Sequence, residues 1–251
     1  MRGSSNRPTG IPHRAGLRRL QRRLFLGGGL SLGALALLSG CNLEDDDAID
    51  RLLFAMSRWN DKAQAALFSP TRLAPVYRAD QITDPFPFNA YYDEALVPRI
   101  DPTTYRLEVG GLVENREPWI LDRLYALPQT SQITRHICIE GWSAIGQWSG
   151  VRFSEFLARV GADKRARYVS FRCADGYSTS VDMATALHPQ TLLAFRFRDA
   201  VLPAKYGFPM KLRVPTKLGF KNPKHVMAIN VTNEFPGGFW EKYGYNWFSG
   251  L

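Results

Sequence analysis

Apolar residues at Ile49, Leu52, Leu53, Met56, Ala63 and Leu67 recur at the three-and-four spacing of one helix face. Acids at 44 to 47 precede them, where a helix N-terminus favours negative charge. The spacing predicts an amphipathic helix of about five turns, packed on the domain rather than free. From Pro70 to Pro102 periodicity disappears among prolines and aromatics, including Asp84-Pro85-Phe86-Pro87-Phe88-Asn89 and Tyr91-Tyr92. Those prolines forbid regular helix and central strand, so an irregular segment fixed by packing or by a ligand is expected. Beyond it, Tyr105–Val109, Gln132–Ile139, Tyr168–Cys173, Leu192–Phe197 and Val226–Val231 read as strands. Phe153–Val160, opened by Ser154 and closed by Gly161, reads as a helix. The expected class is α+β, one mixed α/β domain without internal repeats over 71–251, preceded by a tether and helix over 41–70.

The 251 residues carry 32 Lys+Arg against 23 Asp+Glu. Seven of the arginines and none of the acids lie in the first forty residues; setting these aside leaves 25 basic against 23 acidic. A grip on polyphosphate needs many uncompensated cations, so nucleic-acid binding loses its support. Those forty residues read as an address instead. Arg22-Arg23 precedes the uncharged, Gly-rich run Leu24–Leu38, of signal-peptide length and shorter than the ~20 residues that span a bilayer. Leu38-Ser39-Gly40-Cys41 resembles a bacterial lipobox, which makes Cys41 the candidate lipidation site of a twin-arginine-exported, periplasmic lipoprotein attached to an envelope membrane.

The three cysteines, at 41, 138 and 173, form neither a disulfide framework nor a zinc pattern. Cys138 ends an apolar strand within Arg135-His136-Ile137-Cys138-Ile139-Glu140-Gly141-Trp142-Ser143, a place from which a rigid sheet presents a side chain to a cavity. On residue type alone a buried, packing cysteine is the commoner reading.

That run, with His188-Pro189, Leu202-Pro203 and Val214-Pro215-Thr216-Lys217-Leu218-Gly219-Phe220-Lys221, resembles the molybdopterin domain of the sulfite oxidase family. Within it the similarity, from about Pro87 to about Trp240, is greatest to the bacterial periplasmic methionine sulfoxide reductases. The resemblance implies a molybdenum-molybdopterin cofactor, one metal and one pterin, with the Cys138 thiolate as metal ligand; thiolate is the soft donor such a centre takes. A cation such as Arg135 would assist its deprotonation. By the same resemblance Asn89, Tyr92 and Asp93 contact the pterin, and the loop Gly219–Lys224, with Asn222, Pro223 and Lys224, meets the cofactor and its phosphate. Composition alone reads Lys217, Lys221 and Lys224 as a solvated turn, and isolated histidines such as His136, His188 and His225 as structural. At three cofactor positions the chain departs from the reductase pattern, with Cys173 for Thr, Tyr206 for Asn and Lys211 for Arg. Lysine keeps the charge of arginine but not its fork. The stretch from Ala174 to Val181 is also shorter than in the reductases, which bears on substrate.

The function so implied is two-electron oxygen-atom transfer, reducing an S-oxide or N-oxide such as methionine sulfoxide. Sulfite dehydrogenase-type oxidation and a cofactor-free envelope binding module are the alternatives, with a Cys-His hydrolase behind them. No Cys-x-x-Cys-His haem motif and no iron–sulfur cysteine set occurs, so electrons are expected from a separate partner, a membrane haem protein or a cytochrome. The twin-arginine translocase is the expected partner in export. With no immunoglobulin-like dimerisation domain before Leu251, a monomer is expected.

Overall fold

The computed structural model describes residues 46–251; the expected export signal, Cys41 and most of the acidic tether lie outside the described residues. By contacts the chain divides between Leu53 and Phe54. The described part of the first unit is the start of helix α1 (Asp46–Leu67), and the second unit holds everything else.

Two sheets make up the second unit. One runs β1 (Glu108–Gly111), β9 (Val226–Thr232), β4 (Tyr168–Cys173), β5 (Ser178–Asp182), with β1 and β9 parallel and the other pairs antiparallel. The other runs β2 (Gln129–Ile137), β3 (Ser143–Arg152), β6 (Leu192–Phe197), β7 (Ala200–Val201), and β6 also pairs with β8 (Lys211–Arg213). Period-two burial shows why β4 is a strand: Val169, Phe171 and Cys173 point inward while Arg172 is exposed. In β6 the buried run Leu192–Phe195 reads as a strand covered on both faces.

The main core joins the sheets to α3 (Phe153–Arg159) through Phe153, Phe156 and Leu157, each fully buried against Val151, Val169 and Phe171. Each such ring contributes about 1.5–3 kcal/mol by leaving water. Arg152 rather than Ser154 stands at the cap of this helix, and Gly161, at φ +64°, closes it as expected. A smaller aromatic cluster joins Phe86, Trp148, Phe197 and Tyr206.

Sequence pattern misses β3 and β5. In β3 the apolar alternation is broken by small residues that close packing demands: a Cβ on Gly150 would stand 1.9 Å from the Leu193 carbonyl oxygen, at the register shift between β3 and β6. β5 is short and mostly hydroxyl-bearing. The short helices α2 (Leu121–Tyr125) and α4 (Met183–Ala186) escape the pattern too; the Asp182 carboxylate caps α4 by accepting from the Thr185 amide at 2.8 Å.

The expected N-terminal helix is present, but it packs with the opposite face. Its half-buried positions are Ser57, Asp61 and Gln64 together with Ile49 and Ala63 of the apolar stripe, whereas Leu52, Leu53, Met56, Trp59 and Leu67 are 57 to 87% exposed. Asp61 accepts from the Phe248 amide and from Asn246 Nδ2, each at 2.6 Å, and Gln64 Oε1 accepts from the Gly250 amide at 2.9 Å. Directional hydrogen bonds to the C-terminal segment thus replace burial of the apolar stripe. Asp61→Ala leaves the Phe248 amide unpaired and the Asn246 Nδ2 with only the Ser57 carbonyl at 3.5 Å, so a loss of about 1–3 kcal/mol is expected in the urea unfolding free energy. An unchanged midpoint would show that this docking is incidental.

Candidate active site

At the end of β2 the chain turns sharply. The Cys138 amide donates to the Trp142 carbonyl at 2.9 Å, the Gly141 amide to the Cys138 carbonyl at 3.2 Å, and Gly141 sits at φ +91°, a conformation that favours glycine. Alternation along β2 puts Thr134 and His136 on the buried face with Cys138 beyond them, and Arg135 on the other. Arg135 is therefore exposed and stacks at 5.1 Å on Tyr77; it does not assist the thiol. Cys138 is 8% exposed and opens into a cleft of about 620 Å³, the solvent at its mouth included. Its Sγ donates to Glu140 Oε2 at 3.6 Å, and Trp142 Nε1 donates to the same oxygen at 2.8 Å. Burial raises the Cys138 pKa, with the Glu140 carboxylate adding to the effect, so the thiol is held protonated until something displaces the proton.

The proline-rich segment forms one wall. Protein contacts fix it: the Tyr206 hydroxyl donates to the Phe86 carbonyl at 2.6 Å, and the Phe86 ring meets Trp148, Phe197 and Tyr206 edge-on at about 5.5 Å. Asn89 Nδ2 donates to His136 Nε2 at 3.2 Å. The Tyr92 hydroxyl donates to Asp175 Oδ2 at 3.0 Å, and the Tyr91 hydroxyl to the Asp175 carbonyl. Burial and the Asp175 charge raise the Tyr92 pKa, which keeps that phenol a donor.

The opposite wall is the loop from Gly219 to Lys224. Gly219 is required for a reason of its own, because a Cβ there would lie 2.6 Å from His136 Nε2. Asn222 Oδ1 accepts from Arg213 Nη1 at 2.9 Å and from the Val214 amide at 2.7 Å. Lys224 Nζ donates to the Asn89 carbonyl at 2.6 Å and to the Lys205 carbonyl at 3.1 Å, tying the two walls together. Tyr177 and Trp240 complete the lining.

Of the expected site residues, Asn89, Tyr92, Cys138, Asn222, Pro223 and Lys224 share this cleft. Asp93 does not; it is exposed and its carbonyl starts the short turn Glu94–Leu96. Cys173 is buried in the main core, its pKa raised by desolvation, and no disulfide joins it to Cys138. Tyr206 lies behind the wall and holds Phe86 rather than lining the cleft. Lys211 is buried behind the lining, its Nζ 4.7 Å from the Trp148 ring centre. The solvated-turn reading fails for all three loop lysines. Lys217 is buried against Phe248 and Asp182, Lys221 pairs with Glu241, and only Lys224 faces the cleft.

Sequence reading missed Arg213. It is fully buried and bonds only neutral partners: Asn222 Oδ1, Thr134 Oγ1 at 3.0 Å and the Arg135 carbonyl at 2.6 Å. Its Nε has no partner among the described residues. The available signal was the alternation Lys211-Leu212-Arg213 inside an apolar strand, which puts two cations on one face. Lys211, Arg213 and Lys224 thus form a buried positive cluster. Among the described residues no carboxylate lies within ion-pair distance of any of the three. Burial brings Arg213 down to about 9 and Lys224 to about 8, the latter against the pull of the Asp175 and Glu94 charges, and pushes Lys211 well below the lysine range, with Lys224 and Arg213 adding to the effect. His136, fully buried beside them, is neutral by the same causes, so its Nε2 accepts from Asn89 while Nδ1 keeps an unpartnered hydrogen.

Natural folds rarely leave buried cations uncompensated, and this cluster calls for an anion with several acceptors. A soft thiolate donor at the other side of the same cleft suits a sulfur-rich metal centre. The residues present therefore fit a phosphate-bearing pterin with a metal at its sulfur end.

The pattern of the family described as oxidoreductase molybdopterin binding domain matches residues 94–240. The chain is 58% identical over 229 residues to an Azospira oryzae protein with the provisional name protein-methionine-sulfoxide reductase subunit YedZ1, covering 91% of this chain and 87% of that protein. It is 31% identical to the protein-methionine-sulfoxide reductase catalytic subunit MsrP of Ralstonia nicotianae, over 74% of this chain and 66% of that one. Among solved structures, the sulfane dehydrogenase SoxCD from Paracoccus pantotrophus superposes with a TM-score of 0.52 at 20% identity, over 57% of this chain and 41% of that one, and so shares the fold.

Stability of the cofactor-free protein should report the buried cations. Lys217, brought down to about 7, and Lys224, to about 8, hold fewer protons folded than unfolded from about pH 7 upward. Unfolding then takes up protons, so stability rises with pH up to about 9, where raised thiols begin to oppose it. Protein from a host unable to make the cofactor should gain roughly 3 kcal/mol between pH 7 and 9 in urea titrations. Lys224→Met should lessen that rise by about a third, the Lys217 share remaining; an unchanged slope would remove Lys224 from the cluster.

Proposed function

Because the chain belongs to the family of the oxidoreductase molybdopterin-binding domain, an enzyme family, we propose that it is the catalytic subunit of an exported molybdenum-molybdopterin reductase acting on S-oxides, methionine sulfoxide first among them. The single observation that carries this reading is that Cys138 and Lys224 line one cleft, with Lys211 and Arg213 buried behind Lys224 and no carboxylate within ion-pair distance of these three among the described residues. The overall reaction takes the sulfoxide, two electrons and two protons to the sulfide and water. The bound cofactor, one metal on one pterin, supplies the two-electron redox capacity.

The chain's own residues do the rest. Cys138 Sγ would hold the metal as a thiolate, having given its proton to solvent. Lys224, with Lys211 and Arg213 behind it, supplies the positive field that receives the phosphate. Asn89, Asn222 and the Tyr92 hydroxyl offer fixed donors and acceptors to a planar, polar ring system. Ile139 and Glu140 stand at the mouth, where a sulfoxide on a flexible chain can enter; Ile139 is 44% exposed.

In this proposal the twin-arginine translocase exports the folded, loaded protein, and lipid on Cys41 keeps it at an envelope membrane on the periplasmic side. Electrons come from a separate haem protein of that membrane or from a cytochrome, and the enzyme works as a monomer.

With reduced viologen as donor, protein matured in a cofactor-making host should turn over methionine sulfoxide. Cys138→Ser should lower that rate by about 10²-fold or more, since even outer-shell metal partners are worth 10 to 100, and should lower the molybdenum content. Equal metal and equal turnover in the variant would overturn the ligand role. Sulfite oxidation outrunning sulfoxide reduction would reverse the direction assigned here.

A further inference from the structure

The exposed stripe of α1 runs against the rule for a helix on a globular domain, which turns its apolar face inward. Leu52, Met56, Trp59, Ala63 and Leu67 succeed one another at steps of three and four, so they form one row, and all but Ala63 are more than half exposed. Asp61 and Gln64 meanwhile clamp a polar face to the C-terminal segment. That clamp fixes the orientation, and the outward stripe is its consequence. The apolar surface continues past the helix end: Leu67 borders a groove shared with Leu73 and Leu251, themselves more than half exposed, with Arg72 and Arg135 in its lining. Among the described residues neither arginine has a carboxylate within ion-pair distance.

We propose that this face lies on a phospholipid bilayer, with α1 parallel to the surface and its stripe sunk to the headgroup boundary. Twenty-two helical residues run about 33 Å, a length that lies along a membrane surface. A tryptophan in the apolar row, and Arg72 and Arg135 lining the groove that continues past the helix end, suit a helix lying at the interface, the arginines meeting anionic headgroups. No described helix is long and apolar enough to cross a membrane, so the contact is lateral. The choice of lipid as occupant rests on the export and anchor reading above: Cys41 stands five residues before α1, so a lipid on it would bring the start of this helix to the membrane.

The test uses the full chain reconstituted in phosphatidylcholine–phosphatidylglycerol vesicles, with bromine-labelled acyl chains as a contact quencher. Emission from Trp59, obtained by difference from Trp59→Phe, should be mostly lost in brominated vesicles and should become inaccessible to acrylamide. Leu52→Glu combined with Met56→Glu should abolish both effects while methionine sulfoxide turnover with a soluble donor stays unchanged. Trp59 emission that acrylamide still quenches, with mass spectrometry showing Cys41 acylated, would overturn the helix contact and leave the anchor standing. Bromine quenching in protein whose Cys41 is unmodified would support the helix contact and overturn the lipid anchor. Protection of Trp59 only when solubilised membrane proteins are added would overturn the lipid as occupant in favour of a protein partner.

Discussion

Three buried basic side chains with no carboxylate in ion-pair distance set the terms for this molecule. Lys211, Arg213 and Lys224 are held at 0 to 8% exposure, where a charge is tolerated only if paired or if solvated by fixed dipoles. The chain supplies dipoles: the Asn89, Lys205 and Arg135 carbonyls, the Asn222 amide oxygen and the Thr134 hydroxyl. Among the described residues no carboxylate stands within ion-pair distance of them; Asp175 and Glu94 act on Lys224 only from farther off. Under the function proposed above, an anion from outside the chain would complete these electrostatics. Loading then adds binding free energy to folding free energy, as for any ligand that binds the native state alone.

The same logic explains why an irregular, proline-rich segment forms a wall. A strand there would spend its backbone groups on a ladder, whereas this segment offers the Asn89 carbonyl to Lys224 and the Asn89 amide to His136. Rigidity comes from outside the segment, through Phe86 in its aromatic cage and through Asp175, which receives both tyrosines. Tyr206 and Asp175 are thus positioning residues for the cleft.

Much of the fold was legible because alternation and helical spacing report burial directly: β4 and β6 have the expected bounds, and α3 ends at the glycine that marks it. β3 was hidden because its small residues answer to neighbours far along the chain, Leu193 for Gly150, which no local pattern records. The cleft was legible in its thiol and its two walls through motif resemblance. Asp93, Cys173 and Arg135 fell away from it because strand parity and loop exit direction decide which side chains converge. Arg213 was missed for the complementary reason: an arginine is ordinarily read as surface, and only its partner Lys211 two positions earlier hints that this strand faces inward with charge.

Helix α1 shows how a correct element can carry a wrong inference. Its apolar spacing predicts a helix and, by the usual rule, an inward apolar face; the hydrogen bonds from Asn246, Phe248 and Gly250 reverse the face without disturbing the spacing. Hydrophobic burial is non-directional and could be satisfied by any rotation of the helix that hid the stripe, but a carboxylate accepting a backbone N–H and an amide N–H at 2.6 Å fixes one rotation. The stripe is left outward because directional bonds outrank area at this contact. That ordering makes sense where the apolar face has a second solvent to enter, a lipid one.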